Sequence, residues 1–464
     1  MLSHLIKHTG ASVTRATLKI TLTVHQFFPD FFSGTETLTY ETAKELMKRG
    51  HDVSVITGFP SKEHLDDAER FDHYNYDGIP VERFRHGYMR MGNQSNIQEL
   101  AYNNKLFGSF FKKYLIREKP DIVHFFHLSR LSAIAVDICN ELGIKTVLTP
   151  TDFWFICPTS QLRLPNNQAC TGPNKSSVNC LRHIVYLTQS RKTTSFLQRI
   201  PDWLIRTLIY FIKHSGNIGG QYPQLVRALV DRKDFLLERL NRIDQIAIPT
   251  QVMKSLMVQN GLDARRTTTI PFGLNLTYLK NASRPEPAAA LRLGYIGTIS
   301  EPKGVHVLLG AIKNLTREPL ELKIYGRLDD FPDYVRRLKE IIQGDTRVKF
   351  CGTFPNHEIG SIFSGLDALV VPSLWHENSP LVVYSAQAAK CPIIASNVAG
   401  ISQIIDHGNN GLLFNPGDVS GLAGAIQFIL NNRDLLQKMS SNSKTPLSIQ
   451  EYVFRLISIY HDLI

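Results

Sequence analysis

The sequence predicts an α/β fold of two Rossmann-like domains, each a doubly wound parallel sheet, that face each other across a cleft. At 464 residues the chain is too long for one ordinary core, so two domains of roughly 200 residues are expected. In both halves, short apolar runs alternate with helical stretches of about 10 to 15 residues. This alternation indicates parallel strands that helices cover on both faces.

The first half begins with an apolar run over residues 18–24, which we predict to be its first strand. A loop with Ser33 and Gly34 follows, and then a helix over about 35–48 that stops at Gly50. The other predicted strands of this half cover residues 51–57, 121–126 and 145–149. Between about 182 and 242 the alternation gives way to a helical insert.

The second half repeats the pattern more clearly after a linker at 277–290, which contains Pro285 and Pro287. Its predicted strands cover residues 291–297, 320–326, 348–352, 368–373 and 392–396. The predicted domains are therefore 18–276 and 291–445, with a tail at 1–17.

The helical insert contains an apolar and aromatic stretch at 203–213 that has basic neighbours. A helix of this kind can lie on an anionic membrane surface as a peripheral contact. Apolar residues surround much of this helix, however, which favours packing against its own domain. Both interpretations stay open from the sequence.

The composition is that of a folded globular protein, with 43% hydrophobic and 20% charged residues. The net charge of +11 favours anionic partners, but we find no RNA-binding signature, zinc-finger spacing or basic heptad region, so nucleic acid is not expected. No apolar run reaches the roughly 18 residues that cross a bilayer, and the N-terminal stretch lacks the apolar centre of a secretory signal. We expect a cytoplasmic protein, either free or at the cytoplasmic face of the membrane.

The strongest candidate site lies at 372–385, where the end of a predicted strand runs into a new helix. Ser379 suits the N-cap and Pro380 the first helical position, so the free amides after Asn378 should point into the crevice and attract a diphosphate. Glu377 would repel phosphate but could accept hydrogen bonds from sugar hydroxyls. The structural alternative is that Glu377 only supports the start of its own helix.

A second candidate loop lies at 297–304, again between a strand and a helix. Lys303 in this loop is placed to neutralise phosphate, although any α/β protein can carry a solvated lysine there. Together with the Glu377 segment, the loop predicts a site for a nucleotide diphosphate that carries a sugar.

At these motifs the second half resembles the retaining glycosyltransferases of family 4 (group 1), which have the GT-B fold. The segments that carry the resemblance there are 297–304, 325–326, 366–373, 377–380, 392–396 and 411–414. In the first half they are 33–36, 49–53, 121–124 and 152–158.

The resemblance implies a hexosyltransferase-like enzyme that moves a sugar from a nucleotide diphosphate sugar to an acceptor hydroxyl and retains the anomeric configuration. It implies a sugar or lipid-linked saccharide as acceptor, and work in surface polysaccharide or glycolipid synthesis. The family needs no cofactor, and the lack of an Asp-x-Asp pair agrees with charge neutralisation by protein groups rather than a divalent metal. The segment 446–464 would return as a helix to the first domain.

The resemblance also assigns roles to individual residues of this sequence. The expected catalytic residues are Glu377, Lys303, His127 and Asp152. The expected donor-binding residues are Gly34, Gly297, Thr298, Lys303, Asn378, Ser379, Pro380, Leu381 and Ser385.

Three positions depart from the family pattern. Ser385 stands where the family has a second Glu that holds the ribose, and Thr298 stands where a basic residue is frequent. Phe126 occupies the position of a common histidine, which leaves His127 or His124 as substitutes. A catalytically impaired scaffold or nucleotide-sugar-binding protein is therefore the alternative to a working transferase. A GT-B epimerase is a further alternative, but 152–158 resembles transferases better.

Cysteine spacing raises one metal hypothesis. Three cysteines and a histidine could form a tetrahedral zinc site: Cys157, Cys170, Cys180 and His183. The spacing lacks a tight pair of cysteines, which favours free thiols instead.

Overall fold

The computed structural model describes residues 17–87, 89–164, 168–214, 220–279, 282–284 and 288–464. Almost all of the predicted tail, and Pro285 and Pro287 of the predicted linker, lie outside the described residues. Within the described part, the chain forms two α/β domains, each around its own sheet, as the sequence predicts.

The first sheet has the order β3-β4-β2-β1-β5-β6-β7-β8 and is parallel except for the β3–β4 pair. Its strands are β1 (Lys19–Val24), β2 (Asp52–Pro60), β3 (Phe71–Tyr76), β4 (Ile79–His86), β5 (Ile122–Phe125), β6 (Lys145–Leu148), β7 (Gln245–Ile248) and β8 (Thr267–Thr269). The hairpin of β3 and β4 is absent from the sequence-based strands, as are β7 and β8. These four are polar, short or at the sheet edge, so they lack the long apolar run that marks a central parallel strand.

The second sheet is parallel throughout, with the order β11-β10-β9-β12-β13-β14. Its strands are β9 (Leu291–Ile296), β10 (Leu320–Tyr325), β11 (Val348–Gly352), β12 (Ala368–Val371), β13 (Ile393–Ser396) and β14 (Gly411–Phe414). Every residue of the central strands β12 and β13 is buried, because helices cover both faces. Their continuous apolar sequences are what made them visible in the sequence.

Helices fill the space between the strands. In the first domain they are α1 (Gly34–Lys48), α2 (Ile97–Leu100), α3 (Lys105–Glu118), α4 (Ile134–Glu141), α5 (Val178–Thr188), α6 (Arg191–Arg199), α7 (Asp202–His214), α8 (Gln221–Leu240) and α9 (Gln251–Gln259). In the rest of the chain they are α10 (Val305–Asn314), α11 (Pro332–Ile341), α12 (Ile359–Ser364), α13 (Leu381–Ala388), α14 (Val419–Asn431), α15 (Asp434–Ser441) and α16 (Ile449–Leu463). Among the described residues, no helix has the length and apolarity to cross a bilayer.

Helix α16 follows the second domain in the chain but packs in the core of the first. Ser448 and Glu451 form a capping box that starts it. Its buried face joins the hydrophobic cluster that contains Ile20 and Leu22 of β1. The hydroxyl of Tyr460 lies 2.6 Å from His124 Nδ1, so the helix also has a polar anchor within the first sheet.

Candidate functional site

Both sheets have a switch point where the strand order reverses. In the first sheet it lies between β1 and β5, and in the second between β9 and β12. The carboxyl ends of strands at such a point form a crevice in which α/β proteins bind ligands. Topology alone therefore directs attention to the loops after these four strands.

Lys303 and Glu377, which follow β9 and β12 respectively, are in direct contact. Lys303 Nζ donates to Glu377 Oε1 at 2.7 Å, and the same oxygen accepts from Ser373 Oγ at 2.6 Å and Trp375 Nε1 at 2.9 Å. The carboxylate is almost fully buried, whereas the Lys303 side chain is 28% exposed. Since all three donors bind Oε1, the other carboxylate oxygen is not engaged by these contacts. Lys303 Nζ also lies 5.0 Å from the centre of the Trp375 ring.

Gly400 supports the Glu377 loop, although no sequence pattern distinguishes it from other glycines. Its φ of +89° suits glycine, and a Cβ at this position would overlap the carbonyl oxygen of Glu377. The loop that holds the carboxylate therefore depends on a close backbone approach that only glycine permits.

Helix α13 begins one residue later than the sequence predicts. Pro380 is the N-cap, with extended backbone, and Leu381 is the first helical residue, so the prediction of Ser379 as N-cap is wrong. The Ser379 hydroxyl lies 3.0 Å from the Tyr384 hydroxyl rather than capping an amide. Proline has no backbone N–H, so its position at the N-cap leaves no donor without an acceptor and costs little free energy. The positive end of the helix dipole still lies at this loop.

The start of α13 faces the start of α1 across the domain boundary. A Cβ on Gly34 would lie 3.7 Å from Leu381 Cδ1, and Leu381 packs against the hydrophobic cluster of the first domain. Two helix N-termini therefore meet at the crevice, an arrangement suited to an anionic ligand.

Ser385 lies inside α13 and is buried. Its hydroxyl donates to the carbonyl of Leu381 at 2.9 Å, one helical turn earlier. The proton of this hydroxyl is thus already used, and only acceptor capacity is left for a ligand.

Gly297 and Thr298 lie directly after β9. The Gly297 amide donates to the carbonyl of Tyr325, and the Thr298 carbonyl accepts from the Tyr295 hydroxyl at 2.7 Å. These bonds hold the loop backbone at the sheet edge. Neither Gly297 nor Thr298 carries a positive charge.

On the first-domain side, His127 and Asp152 form a pair. His127 Nδ1 accepts from the Ser129 amide at 3.0 Å, so Nε2 carries the hydrogen and donates to Asp152 Oδ2 at 2.9 Å. The other Asp152 oxygen accepts from the Trp154 amide at 2.7 Å. Because both ring nitrogens are engaged, His127 in this arrangement orients Asp152 and has no free lone pair for a proton.

His25 and Glu36 extend this pair into a buried cluster that the sequence did not reveal as a site. The His25 and His127 rings are 4.4 Å apart, and His25 Nε2 lies 3.5 Å from Glu36 Oε1. Burial lowers the pKa of His25, with His127 and Arg130 adding to the effect. Burial likewise raises the pKa of Glu36. Burial therefore favours the neutral forms of both His25 and Glu36. The only sequence signal of this cluster is the position of Glu36 within a segment that resembles the family.

His124, the other candidate histidine, lies in the core. Its ring nitrogens contact the Tyr460 hydroxyl at 2.6 Å and Thr149 Oγ1 at 2.9 Å. Burial lowers its pKa to about 3. It serves the docking of α16 and does not face the crevice residues described above.

The two sides of the crevice touch through Asn378. Its Nδ2 donates to the carbonyl of Thr151 at 2.8 Å, next to Asp152. The Asn378 Oδ1 atom is buried and has no hydrogen-bond partner in the described residues. A second contact places the Arg327 guanidinium 4.8 Å from the Phe32 ring centre. The contact at Asn378 brings the Glu377 loop next to the Asp152 loop.

The four residues of the zinc hypothesis line one small cavity of about 10 Å³. In the described part of the chain, no three His, Cys, Asp or Glu side chains are placed to hold a metal ion. Burial raises the pKa of Cys180 to about 12 and also raises that of Cys170, which disfavours the thiolate that zinc requires. The cysteines are free thiols, and the geometry gives the zinc hypothesis no support.

Comparison with known proteins identifies the family to which both domains are similar. A family model described as glycosyl transferases group 1 matches residues 290–432, and a glycosyltransferase family 4 model matches residues 32–190. The two matches together cover more than half of the chain.

Individual relatives are more distant. A glycogen synthase of Mycobacterium tuberculosis is 27% identical over 248 residues, which are 51% of this chain and 56% of the relative. A D-inositol 3-phosphate glycosyltransferase of Nocardia farcinica is 26% identical over 243 residues, 49% of this chain and 53% of the relative. The chain thus matches just over half the length of these relatives.

The fold is similar to that of solved glycosyltransferases over nearly the whole chain. Anabaena Alr3699/HepE, solved in complex with UDP and glucose, superposes with a TM-score of 0.61 at 16% identity and covers 96% of this chain and 99% of its own. The two family matches and the two-sheet architecture lead to one conclusion: the chain belongs to the group 1, family 4 glycosyltransferases and has the GT-B fold.

Proposed function

We propose that this protein transfers a hexose from a nucleotide diphosphate sugar to an acceptor hydroxyl, with retention of the anomeric configuration and without a divalent metal. The observation that carries the proposal is the contact of Lys303 with Glu377 beside the start of α13, opposite Gly34. A cation, a hydrogen-bonding carboxylate and a helix N-terminus are together the groups that a diphosphate and its sugar require.

In this proposal the donor diphosphate lies between the starts of α1 and α13. Lys303, 28% exposed, reaches the phosphate oxygens, and the free carboxylate oxygen of Glu377 accepts from a sugar hydroxyl. Asn378 Oδ1, which is buried without a partner, accepts from a second hydroxyl. Gly297, Thr298, Ser379, Pro380 and Leu381 shape the backbone around the diphosphate.

The transfer step breaks the bond between the anomeric carbon and the diphosphate oxygen and forms a bond to the acceptor oxygen. Lys303 and the helix amides stabilise the charge that develops on the leaving diphosphate. The acceptor hydroxyl attacks from the face that the diphosphate leaves, and its proton passes to the departing phosphate. The His127–Asp152 pair lies on the opposite side of the crevice, where it positions sugar hydroxyls.

We propose a sugar or lipid-linked saccharide as the acceptor, and surface polysaccharide or glycolipid synthesis at the cytoplasmic face of a membrane as the setting. The solved neighbour that holds UDP and glucose supports a nucleoside diphosphate donor. The excess of 52 Lys and Arg residues over 41 Asp and Glu residues favours anionic substrates and surfaces.

A nucleotide-sugar-binding protein without turnover is the second candidate, and Ser385 favours it. The hydroxyl proton of Ser385 is used within α13, so ribose binding is weaker than a carboxylate would give. If the native chain is silent and Ser385→Glu creates transfer, the impaired scaffold is supported. Turnover by the native chain contradicts it.

A thermal-shift panel of nucleotide diphosphates and their sugars tests the proposal, since a ligand that binds the native state raises its apparent stability. We expect a shift with one nucleotide base that is lost in Lys303→Ala and Glu377→Ala. Chromatographic detection of released nucleotide diphosphate then tests turnover. The absence of any shift would contradict donor binding itself.

A further inference from the structure

Helix α7 of the helical insert has two apolar faces, although packing against the protein requires only one. Ile205, Ile209 and Ile212 are buried, and the first two pack with Val178 and Val230. On another face Leu204, Leu208 and Phe211, spaced four and three residues apart, are exposed. The inner face accounts for the fold of the insert, and the outer face contributes nothing to the core.

The outer face of α7 lies in the part of the described chain that is richest in exposed apolar side chains. Of the seventeen large hydrophobic side chains that are exposed in the described residues, nine lie between positions 186 and 222, each 45% to 74% exposed. They include Phe196 of α6, Trp203 of α7 and Tyr222 of α8. Large exposed apolar surfaces on monomeric proteins usually mark a binding role, and the concentration of these side chains in one segment indicates such a surface. The sequence-based preference for an ordinary packed helix is therefore incomplete.

The same segment is strongly basic. Residues 181–214 contain six Lys and Arg residues and one acidic residue, Asp202. Asp202 is already paired with Arg182 at 2.8 Å. Lys192 and Arg199 are exposed, and neither has an acidic partner within the described residues. Apolar side chains beside uncompensated cations suit a surface that is both apolar and anionic.

We propose that the insert surface formed by α6, α7 and the start of α8 docks on an anionic lipid bilayer. Helix α7 spans 13 residues, too few to cross a membrane, so it lies in the interface with its outer apolar side chains among the acyl chains and its basic residues at the phosphates. Trp203 and Tyr210 suit the headgroup level. A symmetric contact with a second copy would bring two basic patches together, which charge repulsion opposes.

The location of the insert relates docking to acceptor binding. This relation rests on the proposed transfer reaction. Helix α5 of the insert lines a cavity together with Arg163. Burial lowers the pKa of Arg163, and the charge of Glu301, which lies in the Lys303 loop, opposes this shift. Docking through the insert brings an acceptor anchored in the bilayer to the first domain, whose His127–Asp152 pair positions sugar hydroxyls in the proposed reaction.

Sedimentation with lipid vesicles tests the docking surface. We expect the chain to sediment with vesicles of phosphatidylcholine and about 30 mol% phosphatidylglycerol, whose anionic headgroups give a negative surface potential, and to sediment weakly with phosphatidylcholine alone. Leu208→Ser with Phe211→Ser should weaken partition about 100-fold. Lys192→Gln with Arg199→Gln should weaken it about tenfold at low salt and little at high salt.

Matched controls are available on the same chain. Phe428→Ser and Ile116→Ser remove exposed apolar side chains of α14 and α3, outside the insert surface, and should leave partition unchanged. Vesicles should shift Trp203 emission to the blue, and Trp203→Phe should abolish that shift. Nucleotide-induced stabilisation should be the same in every variant, which separates docking from folding and from the donor site.

Equal sedimentation of the native chain and the Leu208→Ser, Phe211→Ser variant would overturn the proposal. The proposal would also be overturned if the native chain were a dimer that does not bind vesicles and the Leu208→Ser, Phe211→Ser variant were a monomer. A second copy of the chain would then cover this surface. Loss of nucleotide binding with vesicle binding intact would instead contradict only the proposed transfer function.

Discussion

In the second domain, the groups that face the crevice come from two short stretches of chain, 297–304 and 372–385, whereas in the first they come from four separate places. His25 follows β1, Glu36 lies in α1, His127 follows β5 and Asp152 follows β6. In the second domain, Lys303 is 28% exposed and forms an ion pair with the buried Glu377. In the first-domain cluster, burial lowers the pKa of His25 and raises the pKa of Glu36, so these two groups are shifted towards neutrality. The comparison suggests that one side binds the charged donor and the other arranges neutral hydroxyl groups.

The largest expected effect is at Lys303. Lys303→Ala should lower kcat/KM about 1000-fold, or ~4 kcal/mol, because the leaving diphosphate loses its cation and Glu377 is left buried without its ion-pair partner. Steady-state kinetics with the donor from the thermal-shift panel measures this. Lys313→Ala removes an exposed lysine of α10 and is the control. A greater loss in Asp152→Asn than in Lys303→Ala would reverse the comparison.

Gly400→Ala should lower the free energy of unfolding by about 3 kcal/mol, since it combines a strained positive φ with overlap on the Glu377 carbonyl. Gly408→Ala is the matched control, because its φ is +80° but nothing lies within 4 Å of the added Cβ. That change should cost about 1 kcal/mol. Chemical denaturation of both variants measures the difference, and equal costs would show that the close approach is unimportant.

Acidification should loosen the first domain before the second. Burial lowers the pKa of His124 to about 3 and that of His86 to about 4, whereas both titrate near 6.5 when unfolded. The unfolded chain therefore binds more protons below pH 6.5, and stability falls as the pH decreases from 6.5 towards these values. At pH 5 each histidine should cost about 2 kcal/mol.

Hydrogen exchange at pH 7 and pH 5 measures this effect strand by strand. Amides of β1 and β5 should lose more protection than those of β9 and β12. Equal loss in both sheets would contradict the inference that His124 and His86, whose pKa values are lowered to about 3 and about 4, dominate the acid response.

The smallest expected effect is at Ser385. Ser385→Ala removes a hydroxyl that bonds only within its own helix, and alanine favours the helix, so stability should change by less than about 0.5 kcal/mol. The KM for the donor should change less than about threefold. A large increase in KM would show that this hydroxyl holds the ribose after all.

The fold, and the two second-domain loops that carry Lys303 and Glu377, could be predicted because their signals are local. Continuous apolar runs marked the buried strands β12 and β13, and one helix start marked Glu377 and its neighbours. The helix start itself was placed one residue early, because Ser379 and Pro380 suit two adjacent cap positions equally well.

The first-domain cluster could not be predicted, because it forms only when β1, β5 and β6 pair. The rings of His25 and His127 are in contact, although these residues are about 100 positions apart in the sequence. Hydrophobic periodicity is read over short windows, so it cannot reveal such a contact. Gly400 was missed for the same reason, since its partner Glu377 lies on another loop. The sequence also leaves undecided whether the outer apolar face of α7 is buried or exposed, because periodicity does not distinguish a buried apolar face from an exposed one.

The return of α16 to the first domain has a consequence for the order of folding. The core around β1 is closed by residues 449–463, which a ribosome adds only after the entire second domain. The first domain can therefore collapse early but cannot complete its core until the second domain has emerged. The closing contact spans more than 400 positions, as between Arg49 and the Gln450 carbonyl, so it forms late and slowly. A chain truncated before α16 should form a complete second sheet, whereas the hydrophobic core of the first domain should remain incomplete.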